Sequence, residues 1–282
     1  MEDSQVGLHI SSAGSLDLAF DRALEVGATT FQMFTRNPNQ WKFNPIPMEV
    51  VEAFHSKRRR SGFRSVVAHM PYLPNLASSE KETQRASRSS LNAEVLRCDL
   101  LGVDYLVIHL GSHLGRGTME GVRNVSEAVN GALAKSSGDS VILLENMAGQ
   151  RNSVGARFEE LSLILERMRQ SQRVGICLDT CHLYAAGFDL ATEDAVTSTM
   201  TLFERYVGYD RLKVLHLNDS KGTLGSNLDR HETVGKGRIG VRGIRAILQF
   251  NGITDHPLIM ETPFADGKAM KQSLATVRRL MA

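Results

Sequence analysis

Eight short apolar runs pace this chain of 282 residues, ending near His9, Phe34, His69, His109, Glu145, Asp179, His216 and Glu261, with successive ends 25 to 45 residues apart. Each interval has room for one strand, one helix and two loops. Runs such as Leu106-Val107-Ile108, Val141-Ile142-Leu143-Leu144 and Ile176-Cys177-Leu178 are continuous rather than alternating. That pattern marks strands buried on both faces, as in a parallel sheet covered by helices. Helical spacing fills the gaps. Leu16, Ala19, Phe20, Ala23 and Leu24 precede Gly27, and Leu91, Val95, Leu96 and Leu100 precede Gly102, with each glycine where a C-cap is expected. Val122, Val125, Val129 and Leu133, then Phe158, Leu161, Ile164, Leu165 and Met168, continue the alternation. Eight strand–helix units predict an α/β fold, a TIM (β/α)8 barrel, as a single domain over residues 1–282 with its chemistry in the loops after the strands.

Composition narrows the function. The apolar fraction of 42% supports a sizeable core, and an aromatic content of 6% leaves aliphatic residues to fill it. A net charge of +2 does not announce a nucleic-acid binder, so any such binding must use a local basic rim. Cys98, Cys177 and Cys181 are too few and odd in number for a disulfide framework, which points to the cytoplasm, with nucleoid association in a prokaryote expected only if the chain acts on DNA. Cys177 and Cys181 flank Asp179 and His182 but lack CxxC spacing and a second pair, so they read as core or rim residues rather than thiolate ligands. No stretch approaches the ~20 apolar residues of a membrane span, and Met1-Glu2-Asp3-Ser4-Gln5 lacks a signal pattern. The run Lys57-Arg58-Arg59-Arg60 reads as a solvated helix end on the face opposite the ligand-bearing loops.

Nine residues can ligate a metal at or just beyond the strand ends: His69, His109, Glu145, Asp179, His182, His216, Asp229, His231 and Glu261. A lone histidine ending a strand is usually a hydrogen-bonded rim residue. Four buried carboxylates are harder to set aside, because each needs compensating charge. One zinc ion takes three or four ligands, so this surplus implies several ions, and the imidazoles favour Zn, Mn or Fe over Mg or Ca. His9 is placed to line the site, His113 lies in a loop, and His55 and His256 read as surface or packing residues.

The loop after strand 7 is the most specific stretch. Asp229 and His231 are two apart, so in an extended loop they share one face, and His182, in the loop after strand 6, can join them around an ion. The same loop holds Gly235-Lys236-Gly237-Arg238-Ile239-Gly240, a literal GxGxxG. It follows a polar segment and lacks the later carboxylate of a dinucleotide fold. It reads instead as a flexible loop whose amides, with Lys236 and Arg238, approach phosphate. Arg36, Arg116, Arg151 and Arg230 join these two in a basic rim.

The segments Gly175 to His182, His216 to Gly222, Asp229-Arg230-His231 and Glu261-Thr262-Pro263 together resemble the endonuclease IV family of apurinic/apyrimidinic endonucleases (AP endonuclease family 2), and the likeness runs from His9 to the final helix. It implies a trinuclear zinc centre, with Mn admissible at one or more sites. One ion takes His69 and His109, a second takes Asp179, His216 and Glu261, Glu145 bridges them, and the third takes His182, Asp229 and His231. It further implies hydrolysis of the phosphodiester 5′ to abasic sites in double-stranded DNA, leaving a 3′-hydroxyl and a 5′-deoxyribose phosphate, with Glu145 and Glu261 beside the attacking water, and removal of 3′ blocking groups. Tyr72 and Leu73 match inserting positions, and Asn39-Gln40-Trp41 matches the loop after strand 2. Asn39 stands where some members carry an arginine wedge, with Arg36 or Gln40 as substitutes. Leu110 replaces a common proline and Arg151 a glycine. A monomer without membrane or nucleotide-cofactor contacts is expected. The competing expectation is a divalent-metal sugar isomerase or epimerase on a related barrel, which has no evident need for a third ion. A lesion-binding protein with structural metals is a further alternative.

Overall fold

The computed structural model describes residues 4–261 and 266–282; Met1, Glu2 and Asp3, and the Thr262-Pro263 end of one motif, lie outside them. Ten strands follow in chain order: β1 (Val6–His9), β2 (Thr30–Phe34), β3 (Val67–His69), β4 (Tyr105–Ile108), β5 (Val141–Glu145), β6 (Val174–Asp179), β7 (Leu212–His216), β8 (Asp219–Ser220), β9 (His231–Glu232) and β10 (Leu258–Met260). The first seven and β10 close a parallel barrel in which β10 sits between β7 and β1, while β8 and β9 form a small antiparallel pair. The helices are α1 (Leu18–Val26), α2 (Met48–Ser61), α3 (Lys81–Leu101), α4 (Thr118–Leu133), α5 (Phe158–Leu165), α6 (Thr180–Ala185), α7 (Glu193–Tyr206), α8 (Gly240–Gln249) and α9 (Gly267–Met281). The chain thus folds as the TIM barrel that its strand spacing predicts.

Two apolar layers hold it. The larger packs the outward faces of the strands against the helices. The smaller fills the barrel interior with Val67, Val107, Leu143, Cys177, Val214 and Ile259. Side chains in a strand repeat on one face every second residue. Two positions beyond these six stand His69, His109, Glu145, Asp179, His216 and Glu261. An apolar plug therefore lies directly beneath the polar residues and delivers all six to the same mouth.

Several local expectations need correction. Gly27 and Gly102 do end α1 and α3 in the left-handed conformation (φ 80° and 66°). However, Leu24, Leu96 and Leu100 are exposed; the buried faces are Ala19, Phe20, Ala23 and Val26 in α1, and Leu91, Val95, Cys98 and Leu101 in α3. Leucine is a strong helix former, and single apolar residues are tolerated on a surface, so its spacing alone does not choose the inward face. His182 lies in the first turn of α6 rather than in a loop, because the Asp179 carboxylate accepts from the His182 amide and caps that helix. The basic end of α2 is turned away from the mouth, with Arg58 donating to Asp104 just before β4 at 2.7 and 2.8 Å. No helix of the described residues is long and apolar enough to cross a membrane.

Candidate metal centre

Glu145 stands at the middle of the mouth, fully buried, and its two oxygens face different neighbours. Oε2 lies 3.2 Å from His69 Nε2 and 3.0 Å from His109 Nε2. Oε1 lies 3.2 Å from His216 Nδ1, which is in turn 2.9 Å from Glu261 Oε2 and 3.8 Å from Asp179 Oδ2. Across the mouth, Asp229 Oδ1 lies 3.2 Å from His182 Nε2 and 3.4 Å from His231 Nε2. The donors thereby gather as His69, His109 and Glu145; as Glu145, Asp179, His216 and Glu261; and as His182, Asp229 and His231, with atoms in each group within 4.8 Å of one another. A further grouping joins Asp179, Cys181 and His231.

The hydrogen bonds aim these side chains. His69 donates through Nδ1 to the Met70 carbonyl (2.7 Å), His182 through Nδ1 to the Asn146 carbonyl (2.9 Å), and His216 through Nε2 to Gln32 Oε1 (2.8 Å). In each case the other ring nitrogen faces the carboxylates, the arrangement by which outer partners orient metal-binding imidazoles. Nε2 of His182 and of His231 are buried without a hydrogen-bond partner, although both approach Asp229. An unpaired buried nitrogen is costly, and a cation between these groups satisfies both. The donor set therefore fits metal.

The electrostatics agree. Burial works against charge on His182, but Asp179, Asp229 and Glu145 hold it well above the ordinary imidazole range. His109 is likewise raised by Glu145 against the effect of burial. Burial alone would raise Glu145 and Glu261, yet their histidine neighbours hold both well below the usual carboxylate range. Such opposed shifts mark carboxylates that require compensating positive charge. Burial pushes His9 down to about 4, so it is a neutral wall of the site, beside Phe34. Burial pushes the Cys177 and Cys181 thiols up to about 12, which keeps both protonated. Cys177 belongs to the inner apolar plug.

Four supporting residues escaped the sequence reasoning. Gln32, buried on β2, donates to Glu261 Oε1 at 2.6 Å. Asn146 accepts from the Asp179 amide through Oδ1 (2.7 Å), and Asn218 donates to Asp179 Oδ2 (2.6 Å) and accepts from the Glu261 amide (2.8 Å). Asn218 follows His216 by two, so the strand period offered a signal. Asp219 overturns an expectation. Its buried carboxylate accepts from the amides of Gly235 (3.0 Å), Gly237 (2.9 Å), Ile239 (2.9 Å) and Gly240 (3.2 Å). The amides expected to approach phosphate are occupied from within, and the segment is tethered rather than loose. The side chains of Lys236 and Arg238 remain exposed beside it.

Arg36 is a second correction. It does not join the basic rim, because the fully buried carboxylate of Glu94 pairs with its Nε and draws the guanidinium inward. Arg116, Arg151 and Arg230 are exposed, as are Asn39, Gln40, Trp41, Tyr72 and Leu73. The Tyr72 amide donates to the Pro38 carbonyl (3.3 Å), tying the loops after β2 and β3, and its ring lies 6.2 Å from that of His69.

A parallel barrel with clustered imidazoles and carboxylates at its C-terminal mouth defines a class of metal-dependent barrel enzymes, and a family model described as xylose isomerase-like TIM barrel matches residues 20–280. The chain belongs, within that class, to the endonuclease IV family of nucleases. It is 46% identical over 276 residues to a probable endonuclease 4 of Methanoculleus marisnigri, covering 98% of each chain. It is 34% identical to endonuclease IV from Thermus thermophilus, whose crystal structure superposes with a TM-score of 0.87 over 98% of each chain. A D-tagatose 3-epimerase-like protein superposes at 0.73 over 98% of each chain with 18% identity, a likeness of fold alone.

Proposed function

We propose that the chain is a DNA-repair hydrolase that cuts the phosphodiester 5′ to an abasic site in duplex DNA, leaving a 3′-hydroxyl and a 5′-deoxyribose phosphate, and that removes 3′ blocking groups at the same centre. The observation that carries this reading is the gathering of the nine donors into three sets, two of them sharing Glu145, with Asp179 and His231 also within reach of each other and of Cys181. Three zinc ions suit five imidazoles and four carboxylates, with manganese admissible at one or more positions. His69, His109 and Glu145 would hold the first, Glu145, Asp179, His216 and Glu261 the second, and His182, Asp229 and His231 the third. Such ions act as Lewis acids on phosphodiester oxygens and lower the pKa of water toward ~7.

The protein's own groups do the rest. Glu261, partly open to the mouth, takes the proton of the water that attacks phosphorus; the P–O3′ bond breaks and the departing 3′ oxygen takes a proton from solvent, while Glu145 holds the two neighbouring groups in register. Tyr72 and Leu73, exposed beside the centre, enter the stack where no base must be unpaired. Arg230, Lys236 and Arg238 contact phosphates. Asn39 and Gln40 face the duplex. With Arg36 held by Glu94, Gln40 rather than Arg36 takes the place of an arginine wedge. The protein acts as a monomer.

A duplex bearing one reduced abasic analogue, which resists β-elimination, tests the reading. The expected product is a 5′-side nick with a 3′-hydroxyl, lost on chelation and slowed at least ~100-fold in Glu261→Gln. Tight binding without incision would instead identify a lesion binder, and one or two ions per chain in place of three would point to sugar isomerisation or epimerisation.

A further inference from the structure

Gln32 projects from the middle of β2 and is completely buried. Its amide Nε2 donates to Glu261 Oε1 at 2.6 Å and meets His9 Nδ1 at 3.1 Å, while its Oε1 lies 2.8 Å from His216 Nε2. The orientation of the amide follows from its neighbours. A carboxylate only accepts, so the NH2 must face Glu261, and the oxygen is left to face His216. His216 must then donate from Nε2, which turns Nδ1 toward Glu261 Oε2 at 2.9 Å and Glu145 Oε1 at 3.2 Å. One neutral side chain thereby decides which nitrogen of His216 and which oxygen of Glu261 face the centre. No charged residue does both, since a carboxylate would repel Glu261 and an ammonium has no acceptor for His216.

We propose that Gln32 is a positioning residue that sets the His216 tautomer and the Glu261 rotamer for the ion held by Asp179, His216 and Glu261; this rests on the metal-centre reading above. The test compares wild type, Gln32→Met, which keeps the length and loses the hydrogen bonds to Glu261, His9 and His216, and Gln32→Glu, which keeps an acceptor for His216 and loses the donor to Glu261. Ions retained per chain are counted after titration with a chelator, and the visible spectrum of the cobalt-loaded protein is recorded. Gln32→Met should release one ion with roughly 10–100-fold weaker affinity, the usual effect of losing an outer partner, while the remaining ions are held as in wild type, and the cobalt bands should shift. Gln32→Glu should weaken the same ion, and it carries the test alone if Gln32→Met fails to fold. Wild-type affinity with an unchanged spectrum in the folded variants overturns the role of Gln32. A wild-type protein that retains no ion overturns the metal centre itself, and the two failures are therefore distinct.

Discussion

Arg36 donates to the buried carboxylate of Glu94, to Ser90 Oγ and to the Gln40 carbonyl, whereas Arg230 lies exposed between Asp229 and His231 and donates to the Asp229 carbonyl. The two arginines therefore answer differently to the same mutation. Arg36→Ala leaves Glu94 buried without its counter-charge and should cost about 3–5 kcal/mol in urea denaturation. Arg230→Ala should leave the urea midpoint unchanged and reduce the slope of log K against log salt for DNA binding by about one. An Arg36→Ala protein of wild-type stability would show that the Glu94 pair is ornamental. Tyr72, 59% exposed, belongs with Arg230. Tyr72→Ala should raise the Kd for abasic duplex by about tenfold or more while leaving that for intact duplex and the Tm little changed, and an unchanged affinity for abasic duplex would remove it from recognition. Sequence alone could not separate these arginines, since the partner of Arg36 stands 58 residues away on α3.

At the scale of the element, the segment from β7 to α8 is closed on itself. It leaves the barrel at His216, turns back through β8 and β9, and is fastened where Asp219 collects the amides that lead into α8. Arg238 adds a backbone bond to the Ser220 carbonyl at 2.8 Å, and Asn227 donates to the Ala185 carbonyl of α6 at 2.9 Å. Asp229 and His231 are thus carried on an anchored hairpin, which holds their side chains against His182 from across the mouth. The glycine pattern was visible in the chain, but its meaning was not, because the partner of the amides is internal. A Cβ at Gly237 would fall 2.4 Å from Asp219 Oδ1, so that glycine makes room for the carboxylate. Asp219→Ala should speed hydrogen exchange at Gly235, Gly237 and Ile239, and should release the ion of His182, Asp229 and His231 while the others stay. Gly237→Ala should do the same more weakly. Unchanged exchange at those amides in Asp219→Ala would refute the anchoring role.

For the whole molecule, the barrel was legible because its strands are buried on both faces and end at regular intervals, and the mouth was legible because period two carries one side chain from the apolar plug to the rim in six strands. Contacts such as that between Gln32 and Glu261, 229 residues apart, close only when β1 meets β10 and no local pattern announces them. The same closure concentrates Glu145, Asp179, Glu261 and Asp229 at one end of the molecule, with Glu145 and Asp179 fully buried. Their mutual repulsion opposes folding, and His109 and His182, which offset part of it, are drawn toward the charged form against their own burial. Cations that bind the folded barrel and not the open chain remove that burden. At free concentrations ~1,000 times Kd each ion adds about 4 kcal/mol, and for a chain of this size 1 kcal/mol moves Tm by ~2–4 °C. Chelation should therefore lower Tm by on the order of 10 °C or more, and zinc should restore it. Substituting His182 and His231 together with alanine should remove the part of that shift due to one ion. An apparent Tm indifferent to chelator, in protein shown to have lost its metal, would mean that the mouth tolerates its carboxylates unaided.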